Sequence, residues 1–191
     1  MNWADPYCYP GTTVLRNMLS ITDRDQLDPI ERRMGTQRMS EGAPIGSFDL
    51  VHLQAIHRHL FQDIYDWAGE IRTVEIAKDG HQFQFCRFIE TGMTDIHRRL
   101  SMADFLRNLS VEQFAAAAGE IVGDVNYVHP FRDGNGRTQL IYLQQLAEQA
   151  GHRLEISHFD ALRWISASRS AHGADYGPMI GEIVRIIRMS T

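Results

Sequence analysis

Apolar residues recur at spacings of three and four along most of this chain, and Gly, Pro, Ser or Asp interrupts them at intervals. That period puts side chains on one face of a helix, so the fold class predicted is mainly α, amphipathic helices packed into a bundle. Leu50, Leu53, Ile56, Leu60 and Ile64 mark a core helix that Ser47 or Asp49 can cap and that ends at Gly69. Further helices are expected at 89–106, 111–126, 135–150, 158–171 and 177–189, with Gly151 as a C-terminal cap. Before them come an extended arm through Pro10-Gly11, a short helix near Thr12 to Leu19, a helix starting at Asp28-Pro29, and a loop from Gly42 to Gly46.

One segment departs from the helical period. Ile71, Val74 and Ile76 favour β structure, Lys78-Asp79-Gly80 is a turn signal, and Gln82-Phe83-Gln84-Phe85 alternates polar with aromatic residues, so 71–87 reads as a small β-hairpin. Trp67, Trp164 and the Phe83, Phe85, Phe88 series are expected to pack in the core or on the hairpin.

A chain of 191 residues without repeats or interdomain linkers is most simply one domain, and it buries on the order of 70 % of its unfolded surface. Cys8 and Cys86 match neither a disulfide framework nor a CxxC metal pattern, which suits a reducing compartment. The amino terminus lacks a charged and an apolar leader region, and no stretch approaches the roughly 18 apolar residues of a membrane span. A cytoplasmic protein without a membrane partner is therefore expected. A formal charge of −5 with no Lys/Arg-rich tract argues against direct nucleic-acid binding, so an anion must be captured locally.

The place for that capture is the run His129-Pro-Phe-Arg-Asp-Gly-Asn-Gly-Arg137, set between two helical segments. His129 can take a proton near neutral pH, Asp133 offers hard oxygens to Mg²⁺, and Gly134-Asn135-Gly136 can turn backbone N–H groups towards phosphate. Arg137 adds a fixed positive charge. Phe131 points into the core as a structural residue that holds the loop. His52, His57 and His59 share one helix at spacings of five and two, unlike a helical metal pair at i and i+4, and are expected at surface or half-buried positions without zinc.

The run resembles the signature of Fic-domain proteins, HxFx(D/E)GNGRxxR, with seven of its eight fixed positions present and Leu140 in place of the last arginine. The Asp5-Pro6-Tyr7-Cys8-Tyr9-Pro10-Gly11 arm and the Trp67-Ala68-Gly69 stop extend the resemblance, towards the short Fic toxins regulated by an antitoxin, over nearly the whole chain. It implies a single Fic domain over 1–191: an arm at 1–11, a hairpin flap at 71–87 beside the active-site loop, and a motif loop and helix start at 129–140. It implies protein adenylyltransferase activity, with AMP moved from ATP to a target hydroxyl. His129 would be the catalytic base, its pKa near working pH, and Asp133 would hold Mg²⁺. Gly134, Asn135, Gly136 and Arg137 would bind the nucleotide phosphates, and Gln82, Phe83 and Gln84 would dock an extended target segment.

The same resemblance names partners. Several such toxins act on type II topoisomerase subunits, and a small antitoxin restrains them with a helix bearing (S/T)xxxE(G/N), a motif this chain lacks; Thr36 to Glu41-Gly42 has one residue too many. A Fic domain of an effector delivered into another cell has the same layout. Leu140 leaves other readings open. Doc-type relatives carry leucine there and phosphorylate elongation factor Tu, and a catalytically weak nucleotide- and partner-binding protein is a third possibility. Doc proteins replace the second motif glycine with lysine, whereas Gly136 is kept here, which favours adenylylation.

Overall fold

Ser110 opens the longest helix with a capping box: its hydroxyl accepts from the Gln113 amide, and the Gln113 side chain accepts from the Ser110 amide. This helix, α4 (Val111–Val128), runs through the middle of the computed structural model, which describes residues 5–78 and 80–188. Around it are α1 (Arg24–Ser40), α2 (Leu50–Phe61), α3 (Ile89–Met102), α5 (Asn135–Gln149), α6 (Ala161–His172) and α7 (Gly177–Arg188). Between α2 and α3 lies an antiparallel pair of two-residue strands, β1 (Ala77–Lys78) and β2 (His81–Gln82).

Phe114, Ala118, Ile121, Val122 and Val125 are buried around α4, which touches α3, α5, α6 and α7 at once. Two glycines permit that crowding. A Cβ on Gly119 would fall 2.6 Å from Ile180 Cγ1, and one on Gly123 would fall 2.7 Å from the Tyr176 ring, so the start of α7 rests on a bare stripe of α4. α2 closes the other side of the core with Leu53, Ile56 and Leu60, packed against α1 and α5.

The helical bundle and its small hairpin match the expected class, and five of the helices lie within a few residues of the expected positions. Four details differ. Residues 12–19 are not helical: Cys8 pairs with Leu15, the Tyr9 amide donates to Val14 and the Arg16 amide to Tyr7, so the arm doubles back at Pro10-Gly11. α1 starts earlier than Asp28, because Asp23 caps it by accepting from the Asp25 amide at 2.8 Å; Pro29 therefore sits in the second turn and removes one ladder bond. α2 stops at Phe61 and not at Gly69. The Gly69 amide donates to His57 Nδ1 and its carbonyl accepts from Gln54, so the chain folds back onto α2.

The hairpin is also shorter than 71–87. Its strands cover only 77–78 and 81–82, in the register Ala77 with Gln82 and Lys78 with His81, while Asp79 of the turn lies outside the described residues. Ile71, Val74 and Ile76 lie outside the strands, and Arg72 among them is buried. Phe85 and Phe88, expected to be packed, are each more than two-fifths exposed.

Candidate active site

The loop from α4 to α5 forms one wall of a cavity of about 730 Å³. His129, Asp133, Gly134, Asn135, Gly136, Arg137 and Leu140 all line it, as does Phe83 from the flap. Gln82 and Gln84 do not, and Phe131 is fully buried behind the loop.

His129 caps α4 in the left-handed conformation, φ 47°, a position that costs free energy on a residue with a Cβ and is held by its surroundings. Its Nδ1 lies 3.0 Å from the Asn126 carbonyl, which can only accept; the ring proton therefore sits on Nδ1, and Nε2 keeps a free lone pair. The expectation of a pKa near working pH is corrected. Burial, with the nearby charges of Arg72 and Lys78, lowers it to about 4, outweighing the Asn126 hydrogen bond and the Asp133 charge, so the imidazole is neutral at pH 7. Phe83 supplies part of the cover, its ring stacked on the imidazole with centroids 3.7 Å apart.

Asn135 serves the loop differently from expectation. Its side-chain oxygen accepts from the Phe131 amide at 3.0 Å and its amide group donates to the Phe131 carbonyl at 2.8 Å, so the side chain braces the loop. Gly134, with φ 79°, precedes α5, and a Cβ there would strike the Phe61 ring. Gly136 differs: a Cβ on it would meet no protein atom within 4 Å, so the open space beside it favours close approach by something bound. The first amides of α5, with no partners inside the helix, add the positive end of its dipole to this space.

Asp133 is exposed; Oδ1 accepts from the Gly134 amide at 2.6 Å, and among the described residues no other carboxylate lines the cavity. That donor set suits a Mg²⁺ ion taking most of its oxygens from phosphate and water, because among the described residues there is no cluster of three or more acidic, His or Cys side chains that could cage a metal alone. Arg137 lies with its guanidinium 4.5 Å above the Phe61 ring and is ion-paired to Glu31 of α1, whose other oxygen accepts from the Tyr65 hydroxyl.

Three supports escaped the sequence reading. Arg72, about 1 % exposed, donates to the carbonyls of His129 (2.8 Å), Val74 (2.8 Å) and Gln84, tying the flap to the motif loop. His57 is fully buried, not at a surface or half-buried site: Nδ1 accepts from Gly69, Nε2 donates to the Asp133 carbonyl at 3.0 Å, and its ring stacks on Phe131 at 4.0 Å. His52 is buried as well, while His59 is half-buried. Arg132 pairs with Asp5 at 2.6 Å, anchoring the amino-terminal arm on the loop. Only the Arg72 signal was visible in the sequence, as a charge within an apolar, β-favouring stretch. Trp164, expected as packing, is buried but also lines the cavity with Phe159 and Ile165, forming an apolar wall.

A sequence model of the Fic/DOC family matches residues 47–147. The probable protein adenylyltransferase y4lH of Sinorhizobium fredii is 40% identical over 184 residues, 96% of this chain and 96% of that protein. The protein adenylyltransferase VbhT of Bartonella schoenbuchensis is 39% identical over 154 residues, which are 79% of this chain but 32% of VbhT. Among solved structures, the N-terminal Fic domain of a putative cell filamentation protein from Bartonella quintana, with bound ADP, superposes with a TM-score of 0.86 at 26% identity, covering 94% of this chain and 93% of that one.

Proposed function

The chain belongs to the Fic/DOC family, and from that premise we propose that it is a nucleotidyltransferase moving AMP from ATP to a hydroxyl side chain of a target protein. The observation that carries the reading is the His129 tautomer: Nδ1 is spent on Asn126, so an Nε2 with a free lone pair belongs to the same loop as the glycine cradle. The ADP bound to the Bartonella quintana domain and the adenylyltransferase names of the relatives support the choice of nucleotide and group.

The α-phosphorus is attacked in line by the target hydroxyl oxygen, the bond to the β-phosphate bridging oxygen breaks, and pyrophosphate leaves with its electron pair. Nε2 of His129 takes the hydroxyl proton. Phosphate charge beside the ring would raise the His129 pKa from about 4, strengthening Nε2 as a base. The amides at the start of α5 and the guanidinium of Arg137 hold phosphate oxygens. Asp133 would hold Mg²⁺, which supplies charge neutralisation on the leaving phosphates. The flap, fixed through Arg72, sets Phe83 over His129, and a target segment docked on it would deliver its hydroxyl there; because the Phe83 and Gln84 amides already donate to the Ile76 and Tyr127 carbonyls, the pairing expected along Gln82, Phe83 and Gln84 would fall to the free edge of the hairpin.

The finer reading rests on resemblance: a toxin acting on type II topoisomerase subunits in the cytoplasm, or delivered into another cell, and restrained in trans by an antitoxin helix bearing (S/T)xxxE(G/N). No described helix is long and apolar enough to cross a membrane. Incubation with Mg-ATP and a bacterial lysate, read by intact and peptide mass, tests the proposal. An AMP mass on a target, absent with His129→Ala, is the expected result; a phosphate mass would move the protein to Doc-like phosphotransfer, favoured by Leu140, and no added mass would reject transfer.

A further inference from the structure

Among the described residues, five cations line the cavity, Arg24, Arg32, Lys78, Arg137 and Arg169, against the single carboxylate of Asp133. This is a local excess in a chain whose formal charge is −5. The motif itself supplies little of it. Arg137 is already paired with Glu31, Asp133 adds a negative charge, and the twelfth motif position is Leu140, an apolar side chain about 5 % exposed on the cavity wall. A nucleoside triphosphate carries roughly four negative charges, two more than one bound Mg²⁺ cancels, so its tail needs side-chain cations beyond the motif.

The other four differ in where they stand. Lys78 belongs to the hairpin near His129, and Arg169 belongs to α6 beside Ser168, on the side of Trp164 and Ile165. Arg24 and Arg32 belong to α1, the helix that holds Arg137. Arg24, Asp28, Glu31, Arg32 and Gly35 fall at i, i+4, i+7, i+8 and i+11, a single helical face. Glu31 grips Arg137, and a Cβ on Gly35 would lie 3.6 Å from Arg137 Nη1, so this face lies against the phosphate-binding end of the motif. Arg24 is drawn to Asp28 at 3.5 Å, whereas Arg32 forms no ion pair with any described residue.

We propose that Arg32 of α1, assisted by Arg24, binds the terminal phosphates of the nucleotide and takes the place of the cation missing at Leu140. The inference rests on the reading of the cavity as a nucleotide site. It puts phosphate recognition on a helix outside the segment, 47–147, that the family model matches. It also gives Glu31 a positioning role: one helix both fixes Arg137 and presents Arg32.

The test is the affinity of the purified chain, with Mg²⁺, for the β,γ-imido analogue of ATP and for AMP, by calorimetry. Arg32→Ala should weaken the analogue about tenfold or more and leave AMP within about twofold, as expected for a charge-assisted contact made only to the tail. Arg32→Lys should recover part of the loss, and Leu140→Arg in the Arg32→Ala background should restore it if the two positions serve the same phosphates. Arg32 is exposed, and thermal melts of the variants would show that the fold is kept. Unchanged affinity for the analogue in Arg32→Ala, or equal weakening of AMP, overturns the inference alone. Failure of the unaltered chain to bind either nucleotide overturns the nucleotide reading and this inference with it.

Discussion

At the scale of single residues, the proposed chemistry turns on how neighbours condition one imidazole. His129 is kept neutral by its cover, and Phe83 is the part of that cover that can be removed without touching the catalytic loop. Phe83→Ala should therefore raise the His129 pKa from about 4 towards the ordinary 6.5, read by NMR titration of the ring protons. An unmoved titration would mean that Arg72 and the loop, not the flap, set the value. The motif residues were legible in the sequence because they are contiguous and chemically particular: a base, a carboxylate and a glycine nest within nine positions. Asn135 shows the limit. Its type suggested phosphate binding, yet which atoms a short amide reaches depends on the loop path, and here both ends reach the Phe131 backbone.

At the scale of elements, the loop between α4 and α5 is held by side chains far away in sequence. His57 of α2 holds the Asp133 carbonyl, Phe61 of α2 fills the space below Gly134, and Arg72 holds the His129 carbonyl. Gly134→Ala should cost about 1–3 kcal/mol from its positive φ alone, more from the clash with Phe61, and so lower the melting temperature while displacing the amides of α5. Nucleotide affinity should fall with it; a melting temperature equal to that of the unaltered chain would show that the loop relaxes freely. Helices α3, α4, α5 and α7 were readable from apolar period and punctuation because amphipathic faces are local. The end of α2 was not. It is decided by Gly69 bonding back to His57 and Gln54, a contact across a turn that periodicity does not encode.

At the scale of the whole molecule, stability should carry a mark of the site. His57 and His129 both have pKa values lowered to about 4, chiefly by burial. Above pH 6.5 the histidines are neutral whether the chain is folded or not. As the pH falls from 6.5 towards 4, the unfolded chain takes up protons that the folded one refuses, so stability is lost across that window and this contribution levels off below it. Melting temperatures measured from pH 7.5 to 4 should drop in that interval, and His57→Gln, which removes one of the two groups, should flatten the curve; an equally steep drop in the variant would assign it to other groups. Taken alone, the sequence determined the helical class, the hairpin and the composition of the phosphate loop, since those follow from period, turn chemistry and neighbouring residues. Only the tertiary structure decided that Glu31 of α1 meets the motif and Arg32 lines its cavity, that Arg72 binds flap to loop, and that His129 is buried neutral. Those depend on charges and acceptors brought together from distant parts of the chain, where desolvation sets what each group can do.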